Sequence, residues 1–201
     1  MTKPIENTYT TEWEEQFFWT IERYERAIAA GIFTEDDKIE LLYGKIVELV
    51  PAGTPHEECV TLLSEFFRYR FGRDYRYREE KSVRLFDQDA MPEPDFVVVE
   101  NKTYGGNRPG PQDIHLIIEV AKSSLKRDRT VKVKLYAEAN LAEYWVVNLV
   151  NRQIEVYLEP DAEQRIYGSV TRYKEDQTFV SPFAGEVVVA ELLPDAEEEN
   201  E

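Results

Sequence analysis

Two short stretches, Pro94-Asp95-Phe96-Val97-Val98-Val99 and Ile114-His115-Leu116-Ile117-Ile118-Glu119-Val120, are brief, nearly continuous apolar runs rich in β-branched residues. Runs of this length and composition predict strands buried on both faces. Each also carries an acid where a core strand should be apolar: Asp95 opens the first, and Glu119 sits near the end of the second. A carboxylate on a core strand is costly unless it is paired or holds a cation. Glu40 interrupts Ile39-Glu40-Leu41-Leu42 in the same way. Two such acids on adjacent strands would repel unless a cation lay between them. Paired carboxylates and a strand carbonyl suit a hard divalent ion such as Mg²⁺ or Mn²⁺. Taken singly, each acid is also explained as a strand-end or ion-paired residue.

Around these runs the pattern alternates between helices and strands. Thr11 to Ala30 predicts a helix capped by Thr11, with Trp13, Phe17, Ile21, Tyr24 and Ile28 at helical spacing. Ile39 to Tyr43 and Lys45 to Val50 predict strands around Gly44. Thr54-Pro55-His56-Glu57 predicts a helix start with Thr54 as cap and Glu57 closing a capping box, the helix running to Phe71 before Gly72. Further strands are expected at Tyr75 to Arg78, Ser82 to Phe86, Tyr144 to Leu149, Gln153 to Leu158, Arg165 to Arg172 and Val187 to Val189. Lys126 to Asn140 predicts a helix, and Asn101 to Asp113 is a Gly/Pro-rich loop. Mixed in this way, the elements imply an α/β domain with a mixed sheet.

The chain has 201 residues and a formal net charge of −16. Its length fits one domain, and 42% hydrophobic residues supply a core. Cys59 is the lone cysteine, which excludes an intrachain disulfide framework or a multi-cysteine metal site. Cys59 is expected to pack against the sheet, and His115 to be a satisfied structural residue. No apolar run reaches membrane-spanning length and no signal peptide opens the chain, so a cytoplasmic protein is expected, without membrane contact.

The acid surplus is uneven. The final seven residues, Asp195 to Glu201, carry five acids, within an expected disordered tail at 194–201. Arg68 to Phe86 carries seven bases against three acids, and Ala121 to Lys134 six against Asp128 alone. Two basic segments therefore lie within an acidic protein, either as solvated faces or as contacts for an anionic partner.

Pro94-Asp95, Glu119-Val120-Ala121-Lys122-Ser123-Ser124, Asp128-Arg129 with Lys132 and Tyr136, and Glu143-Tyr144-Trp145-Val146-Val147 together resemble the Uma2 family. So do Glu40-Leu41-Leu42-Tyr43-Gly44-Lys45 and the Pro55-His56 helix start. This bacterial group, abundant in cyanobacteria, belongs to the PD-(D/E)XK restriction-endonuclease-like superfamily, and the resemblance runs from about Thr11 to Leu193. It implies a mixed central sheet flanked by helices and a Mg²⁺- or Mn²⁺-dependent endonuclease hydrolysing phosphodiester bonds, in DNA by expectation. It places Asp95 and Glu119 as metal-binding acids, with the Val120 carbonyl as a further ligand and Glu40 as an extra acid.

The superfamily lysine should stand two residues after the glutamate, on the same strand face. Ala121 occupies that position, and alternation points the adjacent Lys122 away. Lys132 and Tyr136, four apart on the following helix, match positions the family favours, and the resemblance assigns them to the catalytic group. The same spacing with Asp128 is also that of an ordinary surface ion pair and packing contact. His56, Lys122, Ser124 and Lys126 are the expected nucleic-acid contacts. A net charge of −16 predicts weak binding without metal. A homodimer is expected. The rival readings are a catalytically silent homo-oligomeric interaction module of the same fold, favoured by Ala121, and a hydrolase of small phosphoesters.

Overall fold

The Phe96–Glu100 and Ile114–Ala121 stretches form adjacent strands, β4 and β5, at the middle of a six-stranded sheet. The computed structural model of the chain describes residues 17–34, 36–49 and 51–196. In chain order, α1 (Ile21–Ala29) leads into the hairpin β1 (Ile39–Leu42) and β2 (Lys45–Glu48), then α2 (Thr54–Phe71) and β3 (Tyr75–Glu79). After β4 and β5 come α3 (Leu125–Arg127), a π-helical turn at Asp128–Lys132 and α4 (Val133–Glu138). The strands β6 (Glu143–Asn148), β7 (Gln153–Asp161) and β8 (Ile166–Lys174) complete the sheet, and β9 (Thr178–Ser181) and β10 (Gly185–Val188) form a last hairpin. The sheet order is β3-β4-β5-β6-β7-β8, with β5 and β6 parallel and every other pair antiparallel. The parallel pair exists because the helical segment crosses between β5 and β6. A mixed sheet flanked by helices, the expected α/β class, is thus the observed architecture.

Strand alternation sorts the core onto two faces. Leu116, Ile118 and Val120 of β5 pack with Phe96, Trp145 and the Cys59–Phe67 face of α2. Ile117 and Ala121 pack on the other face with Val97, Val146, Leu135 and Tyr136. Cys59 is buried in the first cluster, its thiol donating to the Leu192 carbonyl at 3.2 Å. His115 is structural, with Nε2 2.9 Å from Glu100 Oε1 and its ring against Tyr75 and Phe183. The Tyr43-Gly44 turn between β1 and β2 has positive φ at both residues. A Cβ at Gly44 would lie 2.9 Å from the Trp19 carbonyl oxygen, so only glycine fits there.

Four local expectations need correction. Thr20, not Thr11, caps α1, its Oγ1 accepting from the Arg23 N–H at 3.4 Å; residues 17–20 are not helical, and Trp13 lies outside the described residues. Gly53 precedes α2 without a side-chain cap, because Thr54 is already the first helical residue. Ser82 to Phe86 is not a strand: Val83 N–H donates to the Pro92 carbonyl and Arg84 N–H to the Pro109 carbonyl. Prolines return no N–H, so a ladder cannot grow there. Thr178–Ser181 is a strand that the pattern did not predict; it pairs with β10 and docks through Glu143, whose buried carboxylate accepts from Ser181 Oγ, Trp145 Nε1 and Phe183 N–H.

Phe67 of α2 is fully buried among the rings of Phe66, Phe71, Tyr77, Phe96, Trp145 and Phe183. Truncating it leaves a large cavity between helix and sheet. Phe67→Ala is expected to lower unfolding stability by about 3–5 kcal/mol, read from the urea midpoint at unchanged m-value; a loss under 1 kcal/mol would contradict this packing.

Candidate active site

The β4–β5 register pairs Phe96 with Ile118, so one step further sets Asp95 beside Glu119. Both acids lie where the strands leave the core. Asp95 Oδ2 accepts the Val120 N–H at 2.6 Å, and Asp95 Oδ1 lies 3.0 Å from His56 Nε2 in the first turn of α2. Glu40 reaches the same place because Leu41 of β1 bridges to Met91, which aligns Glu40 with the Glu93 N–H at 3.1 Å. The helical crossover supplies the cation. Lys132 Nζ lies 2.9 Å from Glu119 Oε1 and 3.5 Å from Glu40 Oε2, and Tyr136 Oη donates to Glu119 Oε1 at 2.7 Å. Lys132, Glu40 and Glu119 are all buried.

The expected site residues are thereby brought together around one cavity of about 250 Å³. Glu40, His56, Asp95, Glu119, Val120, Lys122, Ser124 and Lys132 all line it, and Tyr136 closes its floor through Glu119. Lys126 is exposed and is not among the residues that line it. Lys122 corrects the alternation argument. It lies one residue beyond the end of β5, so the strand period no longer sets its direction. Ala121 is fully buried in the apolar cluster of the same face as Glu119, which leaves no room for an ammonium there, and Lys132 reaches Glu119 from above instead. Ser124 Oγ donates to Asp128 Oδ2 at 2.6 Å rather than standing free. Asp128, Glu93 and Arg127, absent from the expected set, also line the cavity. Glu93 carried one available signal, an acid held between Pro92 and Pro94.

The electrostatics follow from burial. Desolvation pushes the Glu119 carboxyl well above the ordinary range, against the pull of Lys132, and neighbouring Asp95, Asp128 and Glu40 push the same way. Burial opposes the charge on Lys132, but Glu119 and Glu40 outweigh it and hold the ammonium protonated. Burial also opposes protonation of His56; the hydrogen bond and charge of Asp95 reverse this and raise its pKa. Asp128 is raised to about 6, again chiefly by burial. Five carboxyls (Glu40, Glu93, Asp95, Glu119 and Asp128) face three bases (Lys122, Arg127 and Lys132), His56 aside. Glu40 Oε1 is buried without a hydrogen-bond partner, with the Arg127 guanidinium 3.6 Å away.

Among the described residues no group of three or more His, Cys, Asp or Glu is arranged to hold a metal ion as it stands. The reason is visible: the Lys132 ammonium takes the position between Glu119 and Glu40, and Asp95 is turned to Val120 and His56. The donor chemistry nonetheless fits a hard cation, since carboxylates outnumber bases and one buried carboxylate oxygen is unsatisfied.

A family model described as "Putative restriction endonuclease", Uma2, matches residues 21–188. The chain belongs to the Uma2 family. Among solved structures, a crystal structure titled a "putative nuclease belonging to DUF820" from Anabaena variabilis ATCC 29413 aligns with a TM-score of 0.62 at 15% identity, covering 86% of this chain and 96% of that one. At that identity the likeness shows a shared fold. No curated protein matches the chain. No helix among the described residues of this Uma2 protein is long and apolar enough to cross a membrane.

The raised pKa of Asp128 has a measurable consequence. The folded protein holds a proton on Asp128 that the unfolded chain has released between about pH 4 and 6, so this group's contribution to stability is present at low pH and lost as pH rises to about 6. Asp128→Asn, which keeps an acceptor for Ser124, is expected to gain on the order of 2–3 kcal/mol relative to wild type between pH 4 and pH 7. Urea titrations across that range measure the gap; a pH-independent gap would refute the assignment.

Proposed function

We propose that this protein is a divalent-metal-dependent nuclease hydrolysing phosphodiester bonds, with DNA as substrate. The observation that carries the reading is the convergence of Asp95, the Val120 segment, Glu119 and the Lys132 ammonium in one cavity, with Lys132 2.9 Å from Glu119 although the lysine lies off the usual strand position. Membership in a family described as restriction endonucleases supports the same class, and enzymes of that fold generally use divalent ions.

Asp95, Glu119 and the Val120 carbonyl would hold Mg²⁺ or Mn²⁺, with Glu40 adjoining. When bound, the ion supplies charge stabilisation at the scissile phosphate and a lowered water pKa. The chain's own residues do the rest. Lys132 holds a positive charge beside Glu119, where it orients the attacking water and offsets charge on the phosphoryl oxygens. Tyr136 donates to the same Glu119 Oε1 that Lys132 contacts and so fixes the carboxylate's orientation. His56 orients Asp95 through Nε2 and, lining the same cavity, also stands where it was expected to meet a phosphate. Lys122 and Ser124 border the opening on the side a phosphate backbone would enter.

One observation favours a catalytically silent module instead: Lys132 already pairs with both Glu119 and Glu40 within the chain, as in a purely structural ion cluster. Two measurements separate the readings. In thermal unfolding, Mg²⁺ or Mn²⁺ at a hundred times its Kd should stabilise wild type by about 2.7 kcal/mol, while Asp95→Ala and Glu119→Ala should show no such gain. A silent module gives no gain in wild type either. In cleavage assays on duplex and single-stranded DNA and RNA at low salt, wild type should cut DNA only with metal. Asp95→Ala should abolish cutting, and Lys132→Ala should lower kcat by about 10²–10³-fold. Turnover of small phosphoesters without polymer cleavage would redirect the assignment, and Lys132→Ala cutting at the wild-type rate would remove Lys132 from the chemistry.

A further inference from the structure

The outer edge of the sheet carries positive charge that the cavity does not use. Strand β3 is the terminal strand, and it reads Tyr75-Arg76-Tyr77-Arg78-Glu79. The tyrosines turn inward: Tyr75 packs against Phe71 and Phe183, and Tyr77 against Phe67 and Phe96. The arginines therefore take the opposite face. Arg78 pairs in register with Val97 and Arg76 with Val99, and those valines share a face with Ile117 and Ala121, the face to which Glu119 also belongs. Arg73, in the turn before the strand, and Arg68, at the end of α2, join them around an open cavity of about 420 Å³ with Asn101.

Arg73, Arg76 and Arg78 lack counter-ions among the described residues, in a chain with 40 acids and 24 Lys plus Arg. Arg84, Arg108, Arg127, Arg129, Arg152 and Arg165 each lie against a carboxylate. Among the described residues no carboxylate lies within ion-pair distance of Arg73, Arg76 or Arg78; Arg68 alone of the four reaches one, Glu79, at 3.4 Å. The neutral contacts are few: Arg76 Nε donates to Asn101 Oδ1 at 3.3 Å, and Arg78 Nη2 lies 3.5 Å from the Ser82 carbonyl oxygen. Arg78 Nε is buried without any hydrogen-bond partner. Burial and the charges of Arg108 and Arg76 together hold the Arg78 guanidinium below its usual range, as expected of cations gathered without an anion.

We infer that the Arg73, Arg76 and Arg78 edge, with Arg68, is the surface on which the phosphate backbone of a nucleic acid docks while its scissile bond lies in the carboxylate cavity. The inference rests on the nuclease reading above and adds where the polymer lies. Strand β3 spans about 13 Å, long enough to meet more than one phosphate of a single backbone. Its Glu79 end pairs with Phe96, next to Asp95, so a backbone following the edge leads to the cavity. Guanidinium groups suit phosphate because they offer several donors in a fixed plane.

The test uses the full chain and fluorescein-labelled 30-mer DNA, duplex and single-stranded, in anisotropy titrations from 20 to 200 mM KCl with Ca²⁺. Arg73→Gln/Arg76→Gln changes two exposed residues and should weaken duplex binding at least tenfold at 50 mM salt. It should also flatten the slope of log K against log[salt] by about 1.8. Arg23→Gln/Lys174→Gln, the same charge change at exposed positions on α1 and β8, should bind as wild type. Equal loss in both double variants, wild-type binding by Arg73→Gln/Arg76→Gln, or no binding by wild type at 20 mM KCl would each overturn the inference. Binding lost only towards anionic phosphatidylserine vesicles would also overturn it. The two readings fail separately. Edge-dependent binding without cleavage in any metal leaves the docking surface and removes the hydrolase; cleavage indifferent to the edge arginines does the reverse.

Discussion

Everything near the candidate site depends on the buried ammonium of Lys132. Glu119 stands on a central strand and Glu40 on a hairpin packed against it, both out of water, and carboxylates in that setting are tolerated only with compensating charge and hydrogen bonds. Lys132 reaches both, and Tyr136 satisfies Glu119 from another direction. The cluster is not a net source of stability in the way an apolar core is, because desolvating three charged groups offsets their attraction. On the nuclease reading the cluster is kept for its use rather than for stability; at Ala121, on the same strand face, the chain takes the apolar solution.

A second polar cluster keeps the ammonium in place. The crossover between β5 and β6 changes from α to π geometry over Asp128–Lys132, a rare geometry that is frequent at functional sites. Arg129, inside that turn, donates through Nε and Nη2 to Glu155, a carboxylate buried on β7. Asn148, Gln153 and Tyr157 fill the remaining acceptor positions of Glu155. One residue of the turn is thus anchored to the sheet, while Asp128 and Lys132 on either side of it face the cavity. The Ser124 Oγ to Asp128 contact fixes the start of the same segment.

How far the sequence was legible follows from which interactions are local. The β4 and β5 runs were readable because a strand buried on both faces must be apolar throughout, and the acids Asp95, Glu119 and Glu40 were conspicuous against that background. The β9 strand was not, because Thr178–Ser181 is four residues long with alternate residues exposed and is held by Glu143 from far away in the chain. Alternation in Ser82 to Phe86 looked like a strand, and only the partners, Pro92 and Pro109, explain why it is not. Lys132 came through family resemblance alone: its distance to Glu119 depends on a π turn and a crossover that side-chain spacing does not encode. Lys126 lies outside the cavity lining for the same reason, since its direction is set by how the crossover sits on the sheet.

The net charge of −16 can coexist with a polyanionic substrate only if distance divides the acids from the bases. At physiological ionic strength the Debye length is about 8 Å. Charges within one side chain's reach of each other act nearly in full, and exposed acids elsewhere on the surface are largely screened. The arginines of β3 sit two residues apart on one strand face, within that range of each other, and no carboxylate faces Arg76 or Arg78 among the described residues. The five carboxyls of the cavity are different: on the nuclease reading proposed above a phosphate would arrive beside them, at separations too short for salt to screen. Their repulsion would then be met locally, by Lys132 and by a cation brought into the cavity. The acidity of the whole chain therefore says little about whether a nucleic acid binds. The imbalance inside the cavity makes a divalent ion the natural complement to its carboxylates.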